Sequence, residues 1–367
     1  MPIKFDEKML KSRLFIAISA ALITSFANAN SSKIDSLPNN SINNKTNAIS
    51  DQSLERIIVT SDFRQQTLAT MPTSISVIDQ QQISDDGGQH FSQLMNRVVN
   101  LNFAGGSSRP KYFQIRGVGE RSEYRGAPNS SVGFVVDDID ISGLGMAASM
   151  YDVQQVEVLR GPQGTRLGAN ALAGLIYIKS NEPTDTFEYG LQTSFGNLMT
   201  LSGFSSGPLT DKLSYRLVLQ QHQQNGYRKN QFLNIEDSNG LDELTSKLKL
   251  HYSINNDLTV DFTYLHANLN NGYDAWTLDN NGYNTLTDRP GVDEQQSSGS
   301  SIKAVYQGVN DFDLTSITSY SNTDHQHAYD GDWGNPEYWS NKQCVDYYDE
   351  NSNDLYDDAI PCVYDYL

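Results

Sequence analysis

His325 and His327 stand two residues apart, a spacing that puts two imidazoles on one face of a strand, where a transition metal could use them. No third ligand follows at metal-site spacing, so a surface pair is expected. Asp349, Asn351, Asn353 and Asp357 offer oxygens at spacings like positions 1, 3, 5 and 9 of a calcium loop. Asp354 stands where such a loop needs glycine, and Ile360 where it needs a bidentate glutamate. An acidic, solvated loop is therefore the expectation, with calcium the weaker reading. Cys344 and Cys362 bracket this run; a disulfide closing roughly 19 residues would contribute on the order of 3 kcal/mol, the alternative being two unrelated thiols. There is no serine elbow and no CxxC, and Gly117-Val118-Gly119 opens no helix. With no convergent acid, base and nucleophile, neither an enzyme nor a bound cofactor is expected.

The other informative charges are Arg116, Glu157 and Arg160, flanked by apolar runs and so expected to be partly buried and paired. Two of them sit in VEVLRGPQGTRLGANALAGLIYIKS, from Val156 to Ser180. The strand-like runs Val156–Leu159 and Leu175–Ile178 bracket Gly161, Gly164, Gly168, Gly174 and the small residues Ala169, Ala171 and Ala173. Pro162 fixes a turn after Arg160-Gly161, and Gly161 is expected to need positive φ; Asn170 is expected to face water. This run resembles the plug domain of TonB-dependent outer-membrane receptors, gated importers of iron chelates, haem, cobalamin and some sugars. The family's plug carries an IRG-like element, a V-DG-like turn and an EVLRGP run in that order. Ile115-Arg116-Gly117, Val136-Asp137-Asp138 and Glu157 to Pro162 match them here. Leu167-Gly168 replaces the usual Tyr-Gly and Ala173-Gly174 the usual Gly-Gly. The resemblance implies that Arg116, Glu157, Arg160, Gly161 and Pro162 lock the plug structurally, by charge and by turn.

Glu55 to Ser61 is β-prone and stands just before the plug-like region. In that position it resembles a TonB box, with Ile57, Ile58, Val59 and Thr60 as the energy-coupling residues; the alternative is a first plug strand. The resemblance implies a TonB-type energy-transducing protein of the inner membrane as partner, pairing by strand addition. Upstream, Lys8, Lys11 and Arg13 precede an apolar run from Leu14 to Phe26, and Ala27-Asn28-Ala29 follows. This reads as a signal peptide over 1–29, too short to span a bilayer as a helix. Residues 30–71 read as a disordered linker carrying the box, too short and polar from Asn30 to Ser53 for an added signalling domain.

The 367 residues are 38% hydrophobic, with mean hydropathy −0.51, which excludes a helical membrane protein. A net charge of −18 argues against nucleic acid. Residues 72–184 read as an α/β plug, with strands at Ser74–Ile78, Phe113–Gly117 and Val132–Val136, and a helix over Gln89–Val98 that buries Phe91, Leu94, Met95 and Val98. Residues 185–367 read as the first part of an antiparallel outer-membrane β-barrel. Leu213, Tyr215, Leu217 and Leu219 alternate with Ser214, Arg216 and Gln220; Leu248, Leu250 and Tyr252 alternate with Lys247, Lys249 and His251; and Leu258, Val260, Phe262 and Tyr264 alternate with Thr259, Asp261 and Thr263. Asn255-Asn256-Asp257 is a short turn, while 225–243 and 268–300 are long polar loops. About seven strands are expected against about 22 in such barrels, so a truncated barrel with open, aggregation-prone edges is the expectation. The function implied is uptake of a scarce nutrient across the bacterial outer membrane, in contact with its lipid, most simply of an iron–siderophore complex. Cobalamin, haem or oligosaccharide uptake, or a non-transporting secreted β-rich adhesin or sensor, are the alternatives.

Overall fold

The computed structural model describes Ile58–Val59, Gln66–Thr67 and residues 72–103, 106–121, 130–167, 170–289, 291–308 and 312–340. All belong to the unit Glu55–Leu367. The signal-peptide segment, Ile57, Thr60, Cys344, Cys362 and the oxygen-rich run Asp349, Asn351, Asn353 and Asp357 lie outside the described residues.

The first strands, β1 (Ile58–Val59) and β2 (Gln66–Thr67), pair antiparallel. The next set are β3 (Ser74–Asp79), β4 (Leu101–Phe103), β5 (Phe113–Ile115), β6 (Val132–Val136), β7 (Ile139–Asp140), β8 (Val153–Arg160) and β9 (Gly174–Ser180). Five form one sheet in the order β3-β8-β9-β6-β7; β6 and β9 run parallel, the other pairs antiparallel. The continuous apolar run of β6 follows from this, because it is buried along its whole length. Alternation along β8 sends Val156 and Val158 into the larger core and Leu159 into a smaller one with Leu175 and Tyr177 on the other face. Phe91, Phe113 and Phe134 form an aromatic centre in the larger core, with centroids 5.2–5.9 Å apart.

Two local elements differ from expectation. Asp79 and Gln82 form a reciprocal capping box that starts a short helix, Gln80–Asp85. The expected helix over Gln89–Val98 is instead two 3-10 turns, Phe91–Gln93 and Met95–Arg97. The Phe91 N–H donates outside the segment, to Ala148 O, and Leu94 N–H closes on Phe91 O, so the ladder tightens to three residues and restarts. Phe91, Leu94, Met95 and Val98 are still all buried.

Seven long strands follow in one antiparallel sheet: β10 (Glu188–Phe195), β11 (Leu198–Thr210), β12 (Leu213–Gln224), β14 (Leu241–Ser253), β15 (Leu258–Gly272), β17 (Val292–Gln307) and β18 (Asp313–Ala328). Two short strands, β13 (Lys229–Asn230) and β16 (Asn284–Thr285), pair parallel and join the two long connections at one end of the sheet. The other end carries short turns at 211–212 and 254–257. Along β12, Ser214, Arg216, Val218, Gln220 and His222 are buried against the plug, while Leu213, Tyr215, Leu217 and Leu219 point away. The outward apolar rows continue across the ladder through Leu250, Phe262 and Ile302. Polar-in and apolar-out is the polarity of a strand between lipid and a filled lumen. In β15 the pattern inverts without a break in register: beyond Tyr264 it is Leu265, Ala267 and Leu269 that face inward, into the plug's larger core.

Candidate plug seat and coupling segment

The charges singled out in the plug do not form one paired cluster. Glu157 and Arg160 are three apart on β8, so strand alternation sends them to opposite faces. Glu157 is wholly buried and accepts from the Gln155 amide. Arg160 is half-buried and donates to Val99 O at 3.1 Å, Ser76 Oγ at 2.6 Å and Ser74 Oγ at 3.4 Å. Arg116 is exposed, at φ 53° in the turn beyond β5. Burial and the nearby Arg116 charge both push the Arg160 pKa down. Arg160 is partly buried as expected, but its partners are neutral oxygens and it ties the sheet to a neighbouring loop; for Arg116 the expectation is corrected, since it is exposed and repels Arg160.

Around Pro162 the small residues have two separate reasons. Gly161 adopts φ 107°, and its N–H closes on Ala173 O at 2.9 Å. Gly174 lies so near β8 that a Cβ there would sit 2.3 Å from Leu159 O. Asn170 does not simply face water; its amide donates to Asp140 Oδ2 at 3.0 Å.

What seats the plug on the wall is a set of contacts that sequence reading left without partners. At the long-loop end the wall is acidic and the plug basic. Arg109 grips Glu243 of β14 in a two-bond fork, 2.8 and 2.9 Å, with both side chains about 8% exposed. Lys111 reaches Asp293 of β17 at 3.4 Å, and Ser108 N–H donates to the same carboxylate at 2.6 Å. His327 and His325 contact that carboxylate too, at 3.0 and 3.4 Å. Strand parity turns both histidines to the plug-facing side, where His327 is half-buried and His325 remains exposed. Among the described residues no group of His, Cys, Asp and Glu has the arrangement to hold a metal.

Toward the short-turn end the signs reverse. Asp152 takes a forked pair from Arg216 of β12. Lys249 of β14 lies 3.5 Å from Asp137 and 2.8 Å from Glu182, and Lys247 donates to Ser180 Oγ at 2.6 Å. Burial alone would raise the Asp137 carboxyl; Lys249, Lys247 and the Ser180 N–H outweigh it and hold its pKa below the usual range. Sliding or turning the plug would bring like charges together, so this reversal fixes its register. The only signal in the sequence was the inward parity of Arg216, Glu243, Lys247, Lys249 and Asp293.

Beyond the seat, at the long-loop end, Tyr273 stacks edge-on to His327 at 4.7 Å, and Tyr329 stacks on Trp333 at 5.1 Å. Trp276, largely exposed, lies 5.6 Å from Trp333. These rings come from two different loops, which no local spacing could reveal. Of the proposed coupling residues, Ile58 and Val59 are described: Ile58 is 45% exposed, Val59 is fully buried, and the Gln155 amide donates to Ile58 O at 3.0 Å.

Residues 67–175 match the family model described as the TonB-dependent Receptor Plug Domain. Over 248 residues the chain is 23% identical to the vitamin B12 transporter of Vibrio vulnificus, covering 65% of this chain and 36% of that protein. It is 29% identical over 181 residues to the pesticin receptor of Yersinia pestis, covering 47% of this chain and 26% of that one. The chain therefore spans only about a third of these relatives' length or less. The solved ferric yersiniabactin uptake receptor of Yersinia pestis superposes with a TM-score of 0.62 at 21% identity, over 71% of this chain and 42% of that one, which shows a shared fold. Residues 67–175 are thus a TonB-dependent receptor plug domain, seated on an antiparallel wall whose fold is shared with that solved receptor.

Proposed function

We propose that the whole protein takes up an iron–siderophore complex across the bacterial outer membrane, driven by a TonB-type inner-membrane protein that engages residues 57–60. The observation that carries this reading is the seat itself. Beside the apolar patch where Leu265, Ala267 and Leu269 enter the plug's core, the plug meets the wall through ion pairs and polar contacts, which fix position while adding little net cohesion of their own. Such an interface suits a plug that must be held in one register and still be displaced. Ligand would meet the plug apex at Ser108 to Lys111 and the rings of Trp276, Trp333 and Tyr329 beside it. Those rings offer flat apolar faces to an aromatic chelator. The receptors for pesticin and ferric yersiniabactin point the same way. The vitamin B12 transporter keeps cobalamin as the second reading.

The test is uptake by the full-length protein in a strain stripped of its own receptors, supplied in parallel with radiolabelled ferric siderophores and cyanocobalamin. Accumulation of a ferric chelate and not of cobalamin is expected. Cobalamin uptake alone would replace the first reading with the second, and uptake of neither would remove both.

A further inference from the structure

The coupling segment is held by a side chain that nothing so far has given a role. We propose that Gln155 is a clamp that keeps Ile58 and Val59 docked on the plug in the resting receptor, a positioning residue whose release frees the segment for its partner. The proposal rests on reading residues 57–60 as the coupling segment.

A β-bulge aims the clamp. On β8, Val153 pairs with Ser180 and Gln155 with Lys179, so Gln154 is an extra residue between two consecutive partners. The bulge breaks parity. Val153 joins Val156 and Val158 in the larger core, while Gln155 projects beside Glu157 from the opposite face. In an unbulged strand Val153 and Gln155, two residues apart, would share a face.

The amide is also oriented. A carboxamide has two N–H donors, and here Nε2 serves two acceptors, Ile58 O and Glu157 Oε1. Glu157 is a fixed anchor: it is 0% exposed and lies between Val77 of β3 and Tyr177 of β9 in the ladder. A buried carboxylate binds one N–H firmly and so points the other at the carbonyl.

What is clamped is held lightly. Among the described residues, β1 is two residues long and paired with the equally short β2; Val59 and the Gln155 bond dock it on the plug, with Ile58 turned outward. A two-stranded ribbon with strands this short opens at low cost. While Gln155 occupies the Ile58 carbonyl, that acceptor is withheld from an incoming strand, which recognises its target by backbone hydrogen bonds. Docking thus keeps the resting receptor from engaging the energy-transducing protein unproductively.

The test uses the full-length receptor without ligand, as wild type, Gln155→Ala and Gln155→Glu. Glutamate keeps the shape but loses the donor and places a like charge beside Glu157. Two quantities are read: affinity for the soluble periplasmic domain of the cognate TonB-type protein, and amide hydrogen exchange. Both variants are expected to bind that domain about five-fold more tightly, the scale of one net hydrogen bond. Exchange at Ile58 and Val59 is expected to quicken while that of β8 and β9 stays unchanged. Wild-type affinity and exchange in both variants would overturn the clamp, as would loosening by alanine but not by glutamate. If no form binds the domain, the coupling reading of residues 57–60 fails instead, and the exchange data still decide whether Gln155 holds the segment.

Discussion

Glu243→Ala is expected to destabilise the seated plug by about 3–5 kcal/mol, the cost of leaving one member of a buried pair unpartnered. The Arg109 fork loses both of its bonds to β14, and a guanidinium about 8% exposed has little solvent to replace them. Asn271 loses a partner as well, since its amide donates to the same carboxylate. Replacing both members, Arg109→Leu with Glu243→Leu, is expected to be far milder, because no buried charge remains. Thermal unfolding of the full-length receptor in detergent, run on the single and double variants, reads the difference. A Glu243→Ala midpoint equal to wild type would mean that the pair does not hold the plug.

Gly161→Val is expected to destabilise the plug by about 1–3 kcal/mol, because φ 107° is open to glycine and closed to a β-branched residue. The space around Gly161 is open, so the cost comes from the backbone and not from a clash. Gly164→Ala is the matched control: it too has open space, but its φ is ordinary, and alanine there is expected to be neutral or slightly stabilising. Hydrogen exchange along β8 and β9 in the full-length receptor compares the two. Equal protection in both variants would show that the turn after Arg160 tolerates a side chain and that its conformation is misread.

The architecture was legible because it follows from periods. Two for the wall put Arg216, Lys247 and Lys249 on the face opposite Leu217, Leu248 and Leu250, and the plug's turn chemistry between β8 and β9 stood in one unbroken run. What failed to show were features set by distance. Arg109 and Glu243 are 134 residues apart, and only the strand register brings them together. The charges read as one lock, Arg116, Glu157 and Arg160, are divided by the same alternation that made the strands visible. In β15 the apolar parity changes after Tyr264, which in sequence looks like the end of a strand; the strand continues, and the apolar row passes from its outer face to the face that meets the plug's core. The Asp79 and Gln82 capping box was in the sequence to be found. The tightening of Gln89–Val98 into 3-10 turns was not, since it depends on the Phe91 N–H reaching Ala148 O.

The central proposal is that residues 57–60 transmit force to a plug held in place by separable contacts. Deleting Glu55 to Ser61 from the full-length receptor tests it most directly, with ligand binding at the cell surface and ligand accumulation measured on the same cells. Binding at the wild-type level with accumulation reduced to background is the expected result. Accumulation at the wild-type rate in the deleted strain would contradict it.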